Sequence, residues 1–207
     1  MTKLILMDLD GVLVDLVQAH HEALNSAITE TVGNGYAITE EEFPSYNGLP
    51  TKVKLAKLVE KKHLDPTVIP SICALKQQKT IEYIWEKISA YDYTQQAECL
   101  RILKEKGYGV GVCSNSVRQT VKTVLLRCNY MRHVDFYLST ADVKNPKPNP
   151  EIYLRGMIEG GVGPYETLIV EDSPVGLEAA KASGAKVCRV GSPKDVFFQY
   201  IDNSLEE

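Results

Sequence analysis

Short, uninterrupted apolar runs recur along the chain, and each one ends on polar or small residues. The first, Leu4-Ile5-Leu6-Met7, stops at Asp8-Leu9-Asp10-Gly11. Continuous rather than alternating hydrophobicity predicts a strand covered on both faces, as in a parallel sheet flanked by helices. Comparable runs follow at 108–113, 136–138, 167–170 and 186–190. Between them the spacing turns helical: Val117, Val121, Val124, Leu125 and Cys128 share one face at intervals of three and four. Another predicted helix has clear limits, with Ser173 as N-cap, Pro174 at its first position and Gly184 just beyond its end. Asn149-Pro150-Glu151 opens a helix in the same way.

From 16 to 89 the pattern is helical throughout. Ile81, Ile84, Trp85 and Ile88 form an apolar stripe, and Leu55, Leu58 and Val59 form a shorter one after the Asn47-Gly48-Leu49-Pro50 turn signal. Strand and helix alternate again from about Tyr93 onward. The expected organisation is therefore an α/β, doubly wound parallel sheet built from 1–15 and 90–207, with a small all-helical domain, 16–89, inserted after the first strand.

Composition narrows the function classes. The 207 residues are 44% hydrophobic, enough for one large domain or two unequal ones at about 100–200 residues per domain. With 23 basic against 27 acidic residues, the net charge of −4 leaves no electrostatic footprint for nucleic acid or anionic membrane. Five widely spaced cysteines, Cys73, Cys99, Cys113, Cys128 and Cys188, contain no C-x-x-C pair and read as reduced thiols in a cytoplasmic protein. Asp8 and Asp10 interrupt the first apolar run too early for a signal peptide, and no charge-free run approaches the ~18 residues of a membrane span.

Four features sit where chemistry would be expected. Asp8 and Asp10 leave the same face at the end of the first strand, toward the crevice where open α/β sheets bind ligands, and Gly11 permits a sharp turn. Ser114-Asn115-Ser116 follows the second strand at a helix start, where a hydroxyl and unpaired N–H groups can hold an anion. Lys147 is presented between Pro146 and Pro148, and Glu171-Asp172 follows the fourth apolar run. Each has an ordinary structural reading: a turn, an N-cap, a solvated lysine, and acids complementing a helix dipole. All four at successive strand ends are harder to assign to chance.

Taken in order, Asp8-Leu9-Asp10-Gly11, Ser114-Asn115, Lys147-Pro148 and Glu171-Asp172-Ser173, with Gly176 and Gly184, resemble the motifs of the haloacid dehalogenase-like superfamily. The likeness is nearest to its phosphatase and β-phosphoglucomutase branch and spans nearly the whole chain. The resemblance implies Asp8 as nucleophile and an aspartyl-phosphate intermediate. It implies Asp10 as general acid and base, with Ser114, Asn115, Gly11 and Lys147 around the phosphoryl group. Mg²⁺ would be held by Asp8, the backbone carbonyl of Asp10, and Asp172, with Glu171 nearby. The substrate would be a small phosphorylated metabolite, such as a sugar phosphate or phosphoglycolate. No nucleic acid or membrane partner is expected, and the chain would be a monomer or weak dimer.

Asp10 separates the chain from metal-free dehalogenases. It also outweighs the Gly48-to-Lys52 segment, which looks somewhat like the Schiff-base lysine region of phosphonoacetaldehyde hydrolases. His20 and Lys79 fall where the mutase cap has functional residues, but Leu16 and Thr51 stand in place of its threonine and arginine, which favours hydrolysis. Lys52, Lys54, Lys57, Lys61 and Lys62 read as a solvated helix face, from which Lys52 or Lys54 could reach a substrate. A receiver-like phospho-accepting module shares the residue types but places its acceptor on a later strand.

Overall fold

The computed structural model describes residues 1–46, 49 and 51–206; Asn47, Gly48 and Pro50 of the turn signal and of the Gly48-to-Lys52 segment lie outside them, as does Glu207. Strand β1 (Leu4–Met7) is followed by helices α1 (Val17–Val32), α2 (Phe43–Tyr46), α3 (Thr51–Lys62) and α4 (Ile69–Lys87). Then come α5 (Thr94–Glu105), β2 (Gly109–Cys113), α6 (Arg118–Arg127), β3 (Phe136–Leu138) and α7 (Glu151–Glu159). The chain ends with β4 (Thr167–Glu171), α8 (Pro174–Ala182), β5 (Lys186–Arg189) and α9 (Phe198–Glu206). Two compact units result, Met1–Asp15 with Ile88–Glu207, and Leu16–Lys87. Ile88 and Ser89, read with the helical insertion on the sequence, fall in the first unit.

In the first unit the strands form a parallel sheet in the order β3-β2-β1-β4-β5. The continuous apolar strands are explained by burial on both faces. Leu4 and Leu6 pack with Ile152, Tyr153 and Met157 of α7 and with Ala179 and Ala180 of α8. Side-chain alternation sends Ile5 and Met7 to the opposite face, and both are fully buried there. This is the doubly wound α/β layer that the strand and helix alternation predicts.

Register decides what meets at the sheet's edge. Met7 stands level with Val112 of β2 on one side and Val170 of β4 on the other. Asp8, Cys113 and Glu171 therefore come next, side by side, at the carboxyl ends of three adjacent strands. Glu171 is itself the last residue of β4, paired with Arg189, one residue past the apolar run that marks the strand in the sequence. The cap of α8 is as expected: Ser173 Oγ accepts from Gly176 N–H at 3.0 Å, and Gly184, at φ 79°, ends the turn.

The second unit is helical among the described residues. Leu24, Ala27 and Ile28 of α1 join Leu55 and Leu58 of α3 and Ile72 of α4 in its core. The stripe read along α4 is narrower than expected, because Ile84 is buried while Trp85 is 51% exposed. Adjacent helical residues are turned about 100° apart, so only one of the two can face the core centre.

Candidate active site

Asp8, Lys147 and Glu171 form a buried chain of charges in the first unit. Lys147 Nζ donates to Asp8 Oδ1 at 2.6 Å and to Glu171 Oε1 at 2.7 Å. Asp8 extends the strand through its N–H, which donates to Val170 O at 3.0 Å. Lys147 arrives from the loop before α7, and that loop is clamped by Asn115: Lys147 N–H donates to Asn115 Oδ1 at 3.0 Å, while Asn115 Nδ2 donates to Lys147 O at 3.1 Å. The Asn115 carboxamide is thus committed to the lysine loop rather than to a ligand, so any anion contact from Asn115 falls to its backbone N–H. Ser114 is buried, and its Oγ accepts from Ser116 N–H at 3.0 Å in the turn before α6; the N-cap of α6 is Val117, so neither Ser114 nor Ser116 caps that helix.

Asp8, Glu171 and Asp172 each offer an oxygen lying within 4.8 Å of the others. The Asp10 carboxylate is outside that set among the described residues. Gly11 has φ +90°, and a Cβ there would overlap the Asp172 carboxylate, so glycine serves both the turn and the approach of that acid. Gly176 does the same for Glu171: a Cβ at 176 would overlap its carboxylate.

Three carboxylates surround one ammonium, and the protonation equilibria show the imbalance. Burial, with the Glu171 and Asp172 charges added, pushes the Asp8 carboxyl up to about 8 against the pull of Lys147. Burial and the Glu171 charge also raise Asp172. For Lys147, burial works downward, but the Asp8 and Glu171 charges outweigh it and the ammonium is held above its ordinary value. The site is short of positive charge, and its donors are all hard oxygens. One of them, Asp172 Oδ1, is buried with no hydrogen-bond partner. A divalent cation of the Mg²⁺ type fits that set.

Glu171 stands differently from the other two acids. Its Oε1 accepts from Lys147 Nζ and from Tyr153 OH, each at 2.7 Å, and its Oε2 accepts from Asp172 N–H, Ser173 N–H and Ser173 Oγ at 3.0, 3.2 and 3.2 Å. Sequence reasoning missed Tyr153, because nothing local marks it as a neighbour of the charged cluster.

The remaining site expectations fall in the second unit. His20 of α1 lies with its Nδ1 3.1 Å from Lys76 Nζ of α4. Lys79, the other cap residue expected to bind phosphate, forms a salt bridge with Glu30 of α1 at 2.8 Å. Lys52 is exposed on α3, whereas Lys54, grouped with it in the solvated face, is buried. Burial, reinforced by the Lys76 and Lys54 charges, pushes His20 down to about 3.

A parallel doubly wound sheet with a nucleophile-capable carboxylate after its first strand, salt-bridged to a buried lysine, is an arrangement of the α/β hydrolytic class. Residues 5–190 match the family model of haloacid dehalogenase-like hydrolases, and the chain belongs to that family. Among curated relatives it is 26% identical over 180 residues to a phosphorylated carbohydrates phosphatase of Thermotoga maritima, covering 87% of this chain and 81% of that one. It is 28% identical over 189 residues to the pyrophosphatase PpaX of Bacillus velezensis, covering 90% and 82%. Its fold is similar to a β-phosphoglucomutase crystal structure from Clostridium difficile, with TM-score 0.81 at 22% identity, covering 100% of this chain and 98% of the other. No described helix is long and apolar enough to cross a membrane.

Proposed function

We propose that the protein is a Mg²⁺-dependent phosphomonoesterase acting on a small phosphorylated metabolite of the sugar-phosphate or phosphoglycolate kind. The observation that carries this reading is the Asp8–Lys147–Glu171 chain at the sheet edge, with a further acid, Asp10, two residues beyond the nucleophile. An oxygen of Asp8 attacks phosphorus in line, and the bond from phosphorus to the substrate's alcohol oxygen breaks while Asp10 gives that oxygen its proton. Water then attacks the aspartyl-phosphate at phosphorus, its proton passes to Asp10, and Asp8 leaves as the carboxylate. The Lys147 ammonium, the Ser114 hydroxyl and the Asn115 backbone N–H draw charge from the transferring oxygens.

Asp8, the Asp10 backbone carbonyl and Asp172 would hold the cation, and the orphaned Asp172 Oδ1 supports that assignment. When bound, Mg²⁺ supplies the positive charge that lets a carboxylate approach a phosphate dianion. The phosphatases among the relatives support the reaction class. A second reading, a hexose-phosphate mutase, is motivated by the likeness in fold to the Clostridium difficile β-phosphoglucomutase.

The test is phosphate release from a panel of phosphorylated metabolites with Mg²⁺, with excess EDTA, and with Asp8→Asn. Release that needs both the metal and Asp8 supports the phosphatase. Conversion of β-glucose 1-phosphate to the 6-phosphate faster than phosphate release points to the mutase. No metal- and Asp8-dependent turnover of either kind sinks both.

A further inference from the structure

Glu171 is completely buried, and five donors converge on its two oxygens, against about four lone-pair positions on a carboxylate. Its acceptor capacity is spent inside the protein, so it serves as an anchor for its neighbours. Three of the donors come from its own chain continuation, which fixes the turn into α8. The other two are Lys147 and Tyr153, and they meet on the same atom, Oε1.

Tyr153 also touches Lys147 directly. Its ring lies under the ammonium, with Nζ 4.7 Å from the ring centroid, inside the range of a cation–π contact. A lysine ammonium is a point charge on a flexible stem, and it carries three protons. Here one proton goes to Asp8 and one to Glu171, and the aromatic face closes the side toward α7. The direction of the third proton follows from those three constraints.

We infer that Tyr153 is a positioning residue of the phosphoryl-transfer site, setting the Lys147 ammonium on Asp8 through two independent contacts, its hydroxyl on Glu171 Oε1 and its ring on Nζ. The inference rests on the phosphatase reading above. It makes the first helix after the lysine loop part of the catalytic support, and it explains why a tyrosine, with its hydroxyl in the charged cluster, occupies a fully buried position facing a leucine-lined sheet.

The two contacts separate by substitution. Tyr153→Phe keeps the ring and removes the hydroxyl, while Tyr153→Leu removes both. With p-nitrophenyl phosphate and Mg²⁺, Tyr153→Phe should lower kcat about tenfold, the lower end of what a hydrogen bond to a charged group contributes, with KM within about twofold. Tyr153→Leu should lose roughly tenfold more in kcat per folded molecule, since the cation–π contact goes too. The Mg²⁺-dependent beryllofluoride complex of Asp8, followed by ¹⁹F NMR, should weaken about tenfold in Tyr153→Phe, without any turnover being involved. Thermal melts give the folded fraction of each variant.

A Tyr153→Phe protein equal to wild type in kcat and in beryllofluoride affinity overturns the inference. So does a Tyr153→Leu loss that disappears once corrected for folded fraction. A wild type that neither turns over p-nitrophenyl phosphate nor forms the beryllofluoride complex overturns the phosphatase reading and this inference with it. A functioning wild type beside an unchanged Tyr153→Phe removes this inference alone.

Discussion

His20 illustrates how far one residue's chemistry can depart from its sequence context. On the sequence it stands out only by its place in the cap, and nothing there shows that burial and the Lys76 and Lys54 charges hold it neutral, down to about 3. In the unfolded chain its pKa is the usual 6.5, so between pH 6.5 and about 3 the unfolded state takes up a proton that the folded state refuses. The resulting contribution is complete above pH 6.5 and is lost as pH falls, with a slope of at most about 1.4 kcal/mol per pH unit. Denaturant unfolding from pH 7 to pH 4 should show this loss in the wild type and a shallower one in His20→Gln, and an NMR titration in which His20 protonates near 6.5 would contradict it. Gly176 is a second case. It was legible as a motif glycine, but its physical reason is the space taken by the Glu171 carboxylate, which no local pattern reveals. Gly176→Ala should destabilise the first unit by about 1–3 kcal/mol, the usual cost of forcing a methyl into a filled site, read as a lower denaturation midpoint at unchanged slope.

Among the elements, the three central strands carry the site, and they were the easiest to read. Runs covered on both faces have no polar positions to confuse their period, so β1 matched its expected limits residue for residue. Parallel register then set Asp8, Cys113 and Glu171 side by side, with Ser114 the next residue after β2, which sequence order alone could not show. The loops were legible only in part. Proline on both sides of Lys147 signalled a stiff presentation, but the clamp on it comes from Asn115, 32 positions away. Asn115→Ala removes both hydrogen bonds to the Lys147 peptide, at about 1 kcal/mol each. The expected result is faster amide exchange at Lys147 and about a tenfold drop in phosphate release with secondary structure retained. Unchanged exchange at Lys147 would mean that the prolines alone hold the loop.

Across the whole molecule, the net charge of −4 hides an uneven distribution. Three acids, Asp8, Glu171 and Asp172, meet against the single ammonium of Lys147, all in the unit formed by Met1–Asp15 and Ile88–Glu207. The division into an α/β part and a helical part was readable from where strands stop, whereas the choice of substrate was not, because the lysines of α3 have different fates. Lys54 is buried and Lys62 is bound to Glu42 at 2.7 Å, while Lys52 is exposed, and helical spacing does not distinguish them. The charge distribution does make a thermodynamic prediction. Asp172 is held uncomfortably in the metal-free protein: burial and the Glu171 charge raise its pKa, and its Oδ1 has no hydrogen-bond partner. Replacing that charge by an amide in Asp172→Asn should leave the metal-free protein as stable as the wild type or more so. Mg²⁺ at about 100 times its dissociation constant should add about 2.7 kcal/mol to the wild type, several degrees in Tm, because it binds only the folded site. Asp172→Asn should lose most of that gain, and hydrogen exchange should locate the added protection at the carboxyl ends of β1 and β4 rather than in α1 and α4. The opposite pattern, a destabilised metal-free Asp172→Asn that still gains the full Mg²⁺ shift, would place the cation somewhere other than beside Asp8.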